Sequence, residues 1–279
     1  MKRISFLTVL IIILAVTSLH AENLVLPVFA HNVEGADGVR WSSEIYLTNP
    51  SHQPVQVALV RLLPGYVNRP APCDLFMPPT RVVPPRSAVV WTSEGLAVDL
   101  GCAEEALGAL ILSADGPVDV SSRMVSHREG EPTPHGVLVG QGQEVPVLSF
   151  DEIPSPGDYM LPALSWRSDG WTSGAFDTYA GFANPGAVPV IVTLEVPEGH
   201  AEGEVVIDGV GHRMPASFEV PANAWIQVRL RMRDSEEHPC TGPENFDLMV
   251  GTDGLIAMYA SVVDRSSNDA RTVAPVAFD

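Results

Sequence analysis

The chain has 279 residues and one lysine, Lys2; every other basic residue is arginine. Its formal net charge is -18. Such a chain lacks the positive footprint that nucleic acid and anionic membranes require. Cysteine is scarce too. Cys73, Cys102 and Cys240 include no Cys-x-x-Cys pair, which argues against a zinc cluster. No Ser stands in a Gly-x-Ser-x-Gly elbow, and no His-x-x-x-His pair or Gly-rich phosphate loop occurs. Gly140-Gln-Gly142-Gln is too short and has no βαβ context. Nucleotide and phosphate chemistry are therefore disfavoured, and no cofactor is implied.

One long apolar run exists, at the N-terminus. Lys2 and Arg3 precede an apolar stretch from Ile4 to Val16, broken by Ser5 and Thr8, and Leu19-His20-Ala21 follows. This is the layout of a cleaved secretory signal, with the cut after Ala21. A membrane span needs roughly 20 apolar residues, so this run is too short, and no second one follows. The expectation is an exported chain, periplasmic or extracellular, with no membrane span after cleavage.

Long helical periods are also missing. In their place stand 25 prolines and 23 glycines, which point to strands and turns. What is abundant is self-similarity. Trp41 opens a block that closes on Asn49-Pro50 and leads into a Val-rich strand at Val55–Val60. Phe176 opens a block that closes on Asn184-Pro185 and leads into Val190–Leu194. Val82–Trp91 matches Phe218–Gln227, Leu107–Gly116 matches Phe246–Gly254, and Val145–Asp151 matches Val273–Asp279. The domains are expected at 22–152 and 159–279, after a signal at 1–21, with a semi-rigid linker at 153–158. Each is large enough to bury its own core.

Within each copy, Asn49-Pro50 and Asn184-Pro185 read as turn starters. Asp115-Gly116 and Asp253-Gly254 read as hairpin turns whose Gly accepts positive φ. Val55, Val57 and Leu59 alternate with polar or small residues, as do Ile226, Val228 and Leu230; this is the pattern of strands with one wet face. Ala103–Leu107 reads as a single helical turn. The whole predicts an all-β chain of two tandem immunoglobulin-like β-sandwiches. The motif of aromatic, strand, Asn-Pro and Val-rich strand resembles the repeated sandwich domain of uncharacterised secreted bacterial proteins. The resemblance spans nearly the whole mature chain, twice, and implies no catalytic residues.

Four residues stand out as candidate ligand contacts. If Ile226, Val228 and Leu230 face the core, Trp225 shares the outer face with Gln227, Arg229 and Arg231. Matching Trp91 to Gln227 puts Trp91 on the same face of its own copy. Exposed Trp beside polar groups can stack on a sugar or anchor a protein. The competing reading covers both Trp at the domain junction or beneath the Arg69–Thr80 insertion. Trp41 and Phe176 are expected in the cores.

The preferred disulfide is Cys73–Cys102, leaving Cys240 free. The acidic clusters Glu104-Glu105 and Asp234–Glu237 are the places to look for a glycosidase pair, which needs two facing carboxylates. Loop residues Asp37, Asp115, Asp169, Asp253 and Asp264 leave calcium open, although turn formation explains most of them. The leading expectation is a non-catalytic module that presents sandwich surfaces to a polysaccharide or protein of the cell envelope or exterior. The alternative is a carbohydrate-active hydrolase with a carboxylate pair in an interdomain cleft.

Overall fold

The computed structural model describes residues 22–35, 39–64, 79–102, 105–128, 142–166, 176–197, 202–207, 209–233, 244–264 and 269–278. Among these the chain is all-β apart from one helix and a short 3-10 turn. The first half contains β1 (Glu22–His31), β2 (Val33–Glu34), β3 (Val39–Asn49), β4 (Val55–Pro64), β5 (Thr80–Val83) and β6 (Ser87–Trp91). Helix α1 (Ser93–Leu100) then precedes β7 (Ala106–Ala114), β8 (Asp119–Arg128), β9 (Gly142–Val145) and β10 (Leu148–Ser149). One sheet runs β10-β1-β7-β4-β5; the other has β3 between β8 and the short β2 and β6, with β9 beyond β8.

The second half contains β11 (Gly157–Trp166), β12 (Phe176–Asn184), β13 (Val190–Glu195), β14 (Glu202–Ile207), β15 (Val210–Arg213), β16 (Ala216–Val220) and β17 (Ala224–Arg233). It ends with β18 (Glu244–Thr252), β19 (Ala257–Asp264), β20 (Asp269–Val273) and β21 (Val276–Ala277). Its sheets run β16-β13-β18-β11-β21 and β15-β14-β17-β12-β19-β20. The β14–β15 hairpin has no counterpart among the described residues of the first half. All strand pairs are antiparallel, so the alternating residues put one face of each strand into a shared apolar core. Phe182, Ile226, Val228, Leu248 and Met258, for example, meet from both sheets of the second half.

The two halves repeat in register. Leu24 lies opposite Ser149, and Tyr159 lies opposite Ala277. Ser122 faces Val145, and Ala260 faces Val273. The pairing of β1 with β7 shifts between Leu26 and Phe29, and that of β11 with β18 shifts between Leu161 and Leu164. Both irregularities fall on a Leu-Pro step, Leu26-Pro27 and Leu161-Pro162, where the missing N–H cannot serve the ladder.

Asn49 and Asn184 do more than start turns. Both are fully buried. The Asn49 amide lies 2.7, 3.0 and 3.2 Å from the carbonyls of Gln53, Val83 and Pro84, and its Oδ1 accepts from Ser51 N. Asn184 repeats this with Val188, Val220, Pro221 and Gly186 N. Each side chain thus braces the end of one strand to the approach of another; in the first half the Ser51 and Ser87 hydroxyls also donate to the Gln53 and Pro84 carbonyls, whereas Gly186 and Ala224 hold those places in the second.

The Asp-Gly steps differ from the expected hairpins. β7 and β8 belong to different sheets, as do β18 and β19, so each Asp-Gly sits at a crossing between sheets. Asp115 Oδ1 accepts from Gln56 N, and Asp253 Oδ1 accepts from Ile191 N, both at 2.7 Å. The glycines serve close approach: a Cβ at Gly254 would come within 2.6 Å of Val190.

The helix also lies elsewhere than expected. Thr92 caps α1 by accepting from Gly95 N, and Gly101 ends it with φ 66°. At the corresponding point the second half continues as β17, which pairs along β14 instead.

The segment joining the halves is tied down at its start. A 3-10 turn at Phe150–Glu152 leads to Ile153, which is buried in the first half's core.

Candidate functional site

The halves meet along a continuous apolar junction. The first half's core cluster extends into Ala183, Trp225, Ala257 and Tyr259 of the second. β1 and β7 are buried on both faces along most of their length, as are β12 and β19. A strand buried on one face only would show alternation; these do not, because one face meets its own core and the other meets the opposite half. Polar contacts fix the match. The Trp225 indole N–H donates to the Pro27 carbonyl at 2.8 Å, in a buried position. The step at Pro27 frees that carbonyl from the ladder. Gln143 and Ser261 exchange hydrogen bonds at 3.1 Å, and Arg61 donates to Asn223.

Neither tryptophan is an exposed contact, and Trp225 lies where the competing reading puts it, at the junction between the halves. Trp225 does point away from its own core, but the first half covers that face, and it is 3 % exposed. Trp91 is fully buried for a different reason. Asn49 faces Ser87, and Asn184 faces Ala224. Trp91 therefore corresponds to Val228, a core position, and not to Gln227. The sequence match was displaced by one residue, which moves a side chain to the other face of a strand. Helix α1 closes over Trp91: the indole N–H donates to Asp99 at 2.9 Å, and Asp99 pairs with Arg81, whose guanidinium lies 5.6 Å from the ring centroid.

One of the two arginines is engaged as well. Arg229 pairs with Asp177. Arg231 lies opposite the buried Glu204 of β14. The four candidate contacts therefore do not form one exposed surface. Cys102 is disulfide-bonded. Cys73 and Cys240 lie outside the described residues, as do the signal segment, Glu104, Asp37, Asp169 and Asp234–Glu237. Glu105 is held by Arg40 at 2.8 Å. Among the described residues no group of three or more His, Cys, Asp or Glu side chains is placed to hold a metal ion. No helix there is long and apolar enough to cross a membrane.

The junction leaves a cavity of about 200 Å3. The first half lines it with Val28, Val33, Glu34 and Trp41, and the second with Tyr179 and Gln227 among others. Trp41 is half-buried and packs against the core only in part, so its expected place inside the core does not hold. Gly35 lies against it: a Cβ there would be 2.7 Å from the indole nitrogen, so only glycine leaves the ring its place. Gln227 is oriented by donating to the Tyr259 hydroxyl at 2.9 Å. Full burial pushes the Tyr259 phenol far above its usual range, so it stays a neutral hydroxyl. Among the described residues Glu34 is the one carboxylate lining the cavity, so they present no facing acid pair there of the kind a glycosidase uses.

The residues of this cavity were hidden from a strand-by-strand reading. Trp41 looks like a core aromatic, and Tyr179 and Gln227 look like ordinary outward positions. The available signal was Gly181 standing where the first copy has Tyr46. A Cβ at Gly181 would lie 2.0 Å from the Tyr259 ring, which marks an outer face packed against something large.

No family model matches the chain, and neither does any curated protein or solved structure.

Proposed function

We propose that this chain is a non-catalytic module of the cell envelope or exterior, made of two tandem immunoglobulin-like sandwiches. On this reading it belongs with the secreted bacterial repeat proteins that its motif resembles. It acts by holding a fixed composite surface against a partner. The observation that carries the reading is the junction, where Trp225 is buried against Pro27 and the apolar cluster runs unbroken between halves. A buried apolar junction suits a rigid presenter better than a pair of jaws that open around a substrate.

A protein partner is favoured over a polysaccharide. The two tryptophans that would have stacked on sugar rings are buried. Val60 and Val82 of the first half, and Val188 and Ile191 of the second, are exposed on or beside the outermost strands. Apolar side chains near a sheet edge are suited to protein contact.

The test is to offer the mature protein a panel of envelope polysaccharides and envelope protein fractions, and to measure retention and product release together. Saturable retention without product is the expected result. Turnover that an acid-to-amide substitution abolishes would sink the proposal.

A further inference from the structure

We infer that the junction cavity binds a small organic cation, an ammonium group carried on an apolar or aromatic body. This goes beyond the module reading, which concerns the outer surface.

Size comes first. At about 200 Å3 the cavity is smaller than the roughly 300–1,000 Å3 typical of drug-sized ligands. It suits a compact molecule. Val28, Val33 and their apolar neighbours would cover the body of such a molecule and exclude water from it.

Charge decides between ligand classes. Glu34 lines the cavity and is exposed, so it stands at the rim. Among the described residues no Lys, Arg or His lines the cavity. The nearest cross-strand cation is Arg40, opposite Glu34 in the β2–β3 pair. It is turned elsewhere, donating to Asn32 O and pairing with Glu105. Glu34 itself has no ion pair among the described residues. An anion entering here would meet one carboxylate and no compensating charge. A cation would meet that carboxylate and the field of a chain with net charge -18.

Two aromatic rings complete the case. Trp41 comes from one half and Tyr179 from the other, and both line the cavity. Aromatic faces attract ammonium groups, most strongly where water is excluded. Gln227 and Ser261 add neutral polar atoms without adding charge.

The experiment titrates the mature chain, by calorimetry and by ligand-observed NMR, with benzyltrimethylammonium, benzyl alcohol and phenylacetate. Two variants accompany it. Glu34→Gln removes the rim charge at an exposed position, and Val263→Phe fills the cavity from its second-half wall. Circular dichroism and thermal midpoints establish that each variant is folded. The cation is expected to bind once per chain, and phenylacetate not to bind where the cation saturates. Glu34→Gln should weaken the cation about tenfold, and Val263→Phe should remove binding. The inference is overturned if the folded protein ignores the cation, or if the alcohol binds equally well and Glu34→Gln changes nothing. Binding that survives Val263→Phe would overturn it too. If Val263→Phe does not fold, Glu34→Gln and the three-probe comparison decide alone. None of these failures touches the module reading, which stands or falls on retention and turnover with envelope material.

Discussion

In the first half Tyr46 lies opposite Ser121; in the second, at the same point of the same strand pair, Gly181 lies opposite Tyr259. The large and small residues have changed strands. In the first half the face around them is polar. Glu44 lies opposite Arg123, and the Tyr46 hydroxyl donates to Glu44 at 2.7 Å. Burial, and then the hydrogen bond to Glu44, push the Tyr46 phenol upward, so it remains a donor. In the second half the same face carries Trp225, Tyr259 and Ala257, and it is covered. Two copies of one scaffold have therefore kept their inner faces apolar and set their outer faces to different uses. The strand register, fixed by the inner faces, does not depend on which use is chosen.

The sharpest way to break this contrast is Trp225→Ala. It removes a buried indole and its hydrogen bond to Pro27, and should cost about 4 kcal/mol. The corresponding first-half residue is Ala88, exposed and small. Equilibrium denaturation of Trp225→Ala is expected to split into two transitions as the halves lose their mutual support, while Ala88→Ser stays within about 0.5 kcal/mol of the parent. A single unshifted transition would mean that the junction adds nothing to stability.

Asn49→Ala and Asn184→Ala test what the halves share. Asn184→Ala takes the side-chain donor from three main-chain carbonyls; Asn49→Ala takes it from three as well, but two of them still accept from the Ser51 and Ser87 hydroxyls. A loss of about 3 kcal/mol is expected for Asn184→Ala and a smaller one for Asn49→Ala, read as unequal drops in the denaturation midpoint of the half concerned. Equal losses would show that the serine hydroxyls do not back up the first brace.

These two tests separate what the sequence made legible from what it did not. The repeat, the all-β class and the core faces of β4 and β17 were readable, because alternation at Val55, Val57 and Leu59 or at Ile226, Val228 and Leu230 reports one strand's relation to its own core. The Asn residues were noticed, but as turn formers. Their real work is long-range, reaching carbonyls 34 to 37 residues away, and spacing along the chain does not report it. The outer faces were misread for a similar reason. Nothing in β17 alone says that β1 lies against Trp225. With Trp91, a match one residue out reversed the inferred face. The cavity lies one step further off, because it exists only where two halves meet.

His31 offers a difference of intermediate size. Burial lowers its pKa from the ordinary 6.5; Glu94 opposes the shift and His127 adds to it. The unfolded chain then binds more protons than the folded one as pH falls through 6.5 and below. Stability attributable to this site is therefore present above 6.5 and lost on acidification. The corresponding residue in the second half is Trp166, which does not titrate. Chemical denaturation between pH 7.5 and 5 should show a slope that His31→Gln reduces; an unchanged slope would assign it to other groups.

The smallest effect concerns Arg86 and Asn223, which hold the same turn position with φ of 51° and 54°. Asn tolerates this region and Arg does so less readily. Arg86→Gly should raise the thermal midpoint slightly, by under about 1 kcal/mol of stability. Asn223→Gly should raise it less, because Asn already tolerates this region and its loss gives up the contact with Arg61 across the junction, whereas Arg86→Gly gives up only a contact with His52 within one half. An equal rise in both would rank turn strain above the junction contact.

The junction joins unlike surfaces: the sheet of β1 and β7 from one copy against the sheet of β12, β17 and β19 from the next. Contact between unlike faces of a repeated unit can in principle continue indefinitely, as beads do on a string. The two outer faces of this pair do not repeat the match. The face that a preceding copy would have to seat carries Glu44 and Arg123 in place of Tyr179 and Ser261, and Ala88 in place of Trp225. On the far side, the face open to a following copy carries Asp247 and Thr193 where the first half has Ala109 and Ala58. Neither outer face thus offers the apolar match that the junction makes, so the contact between unlike faces is written into one side of each copy and erased from the other.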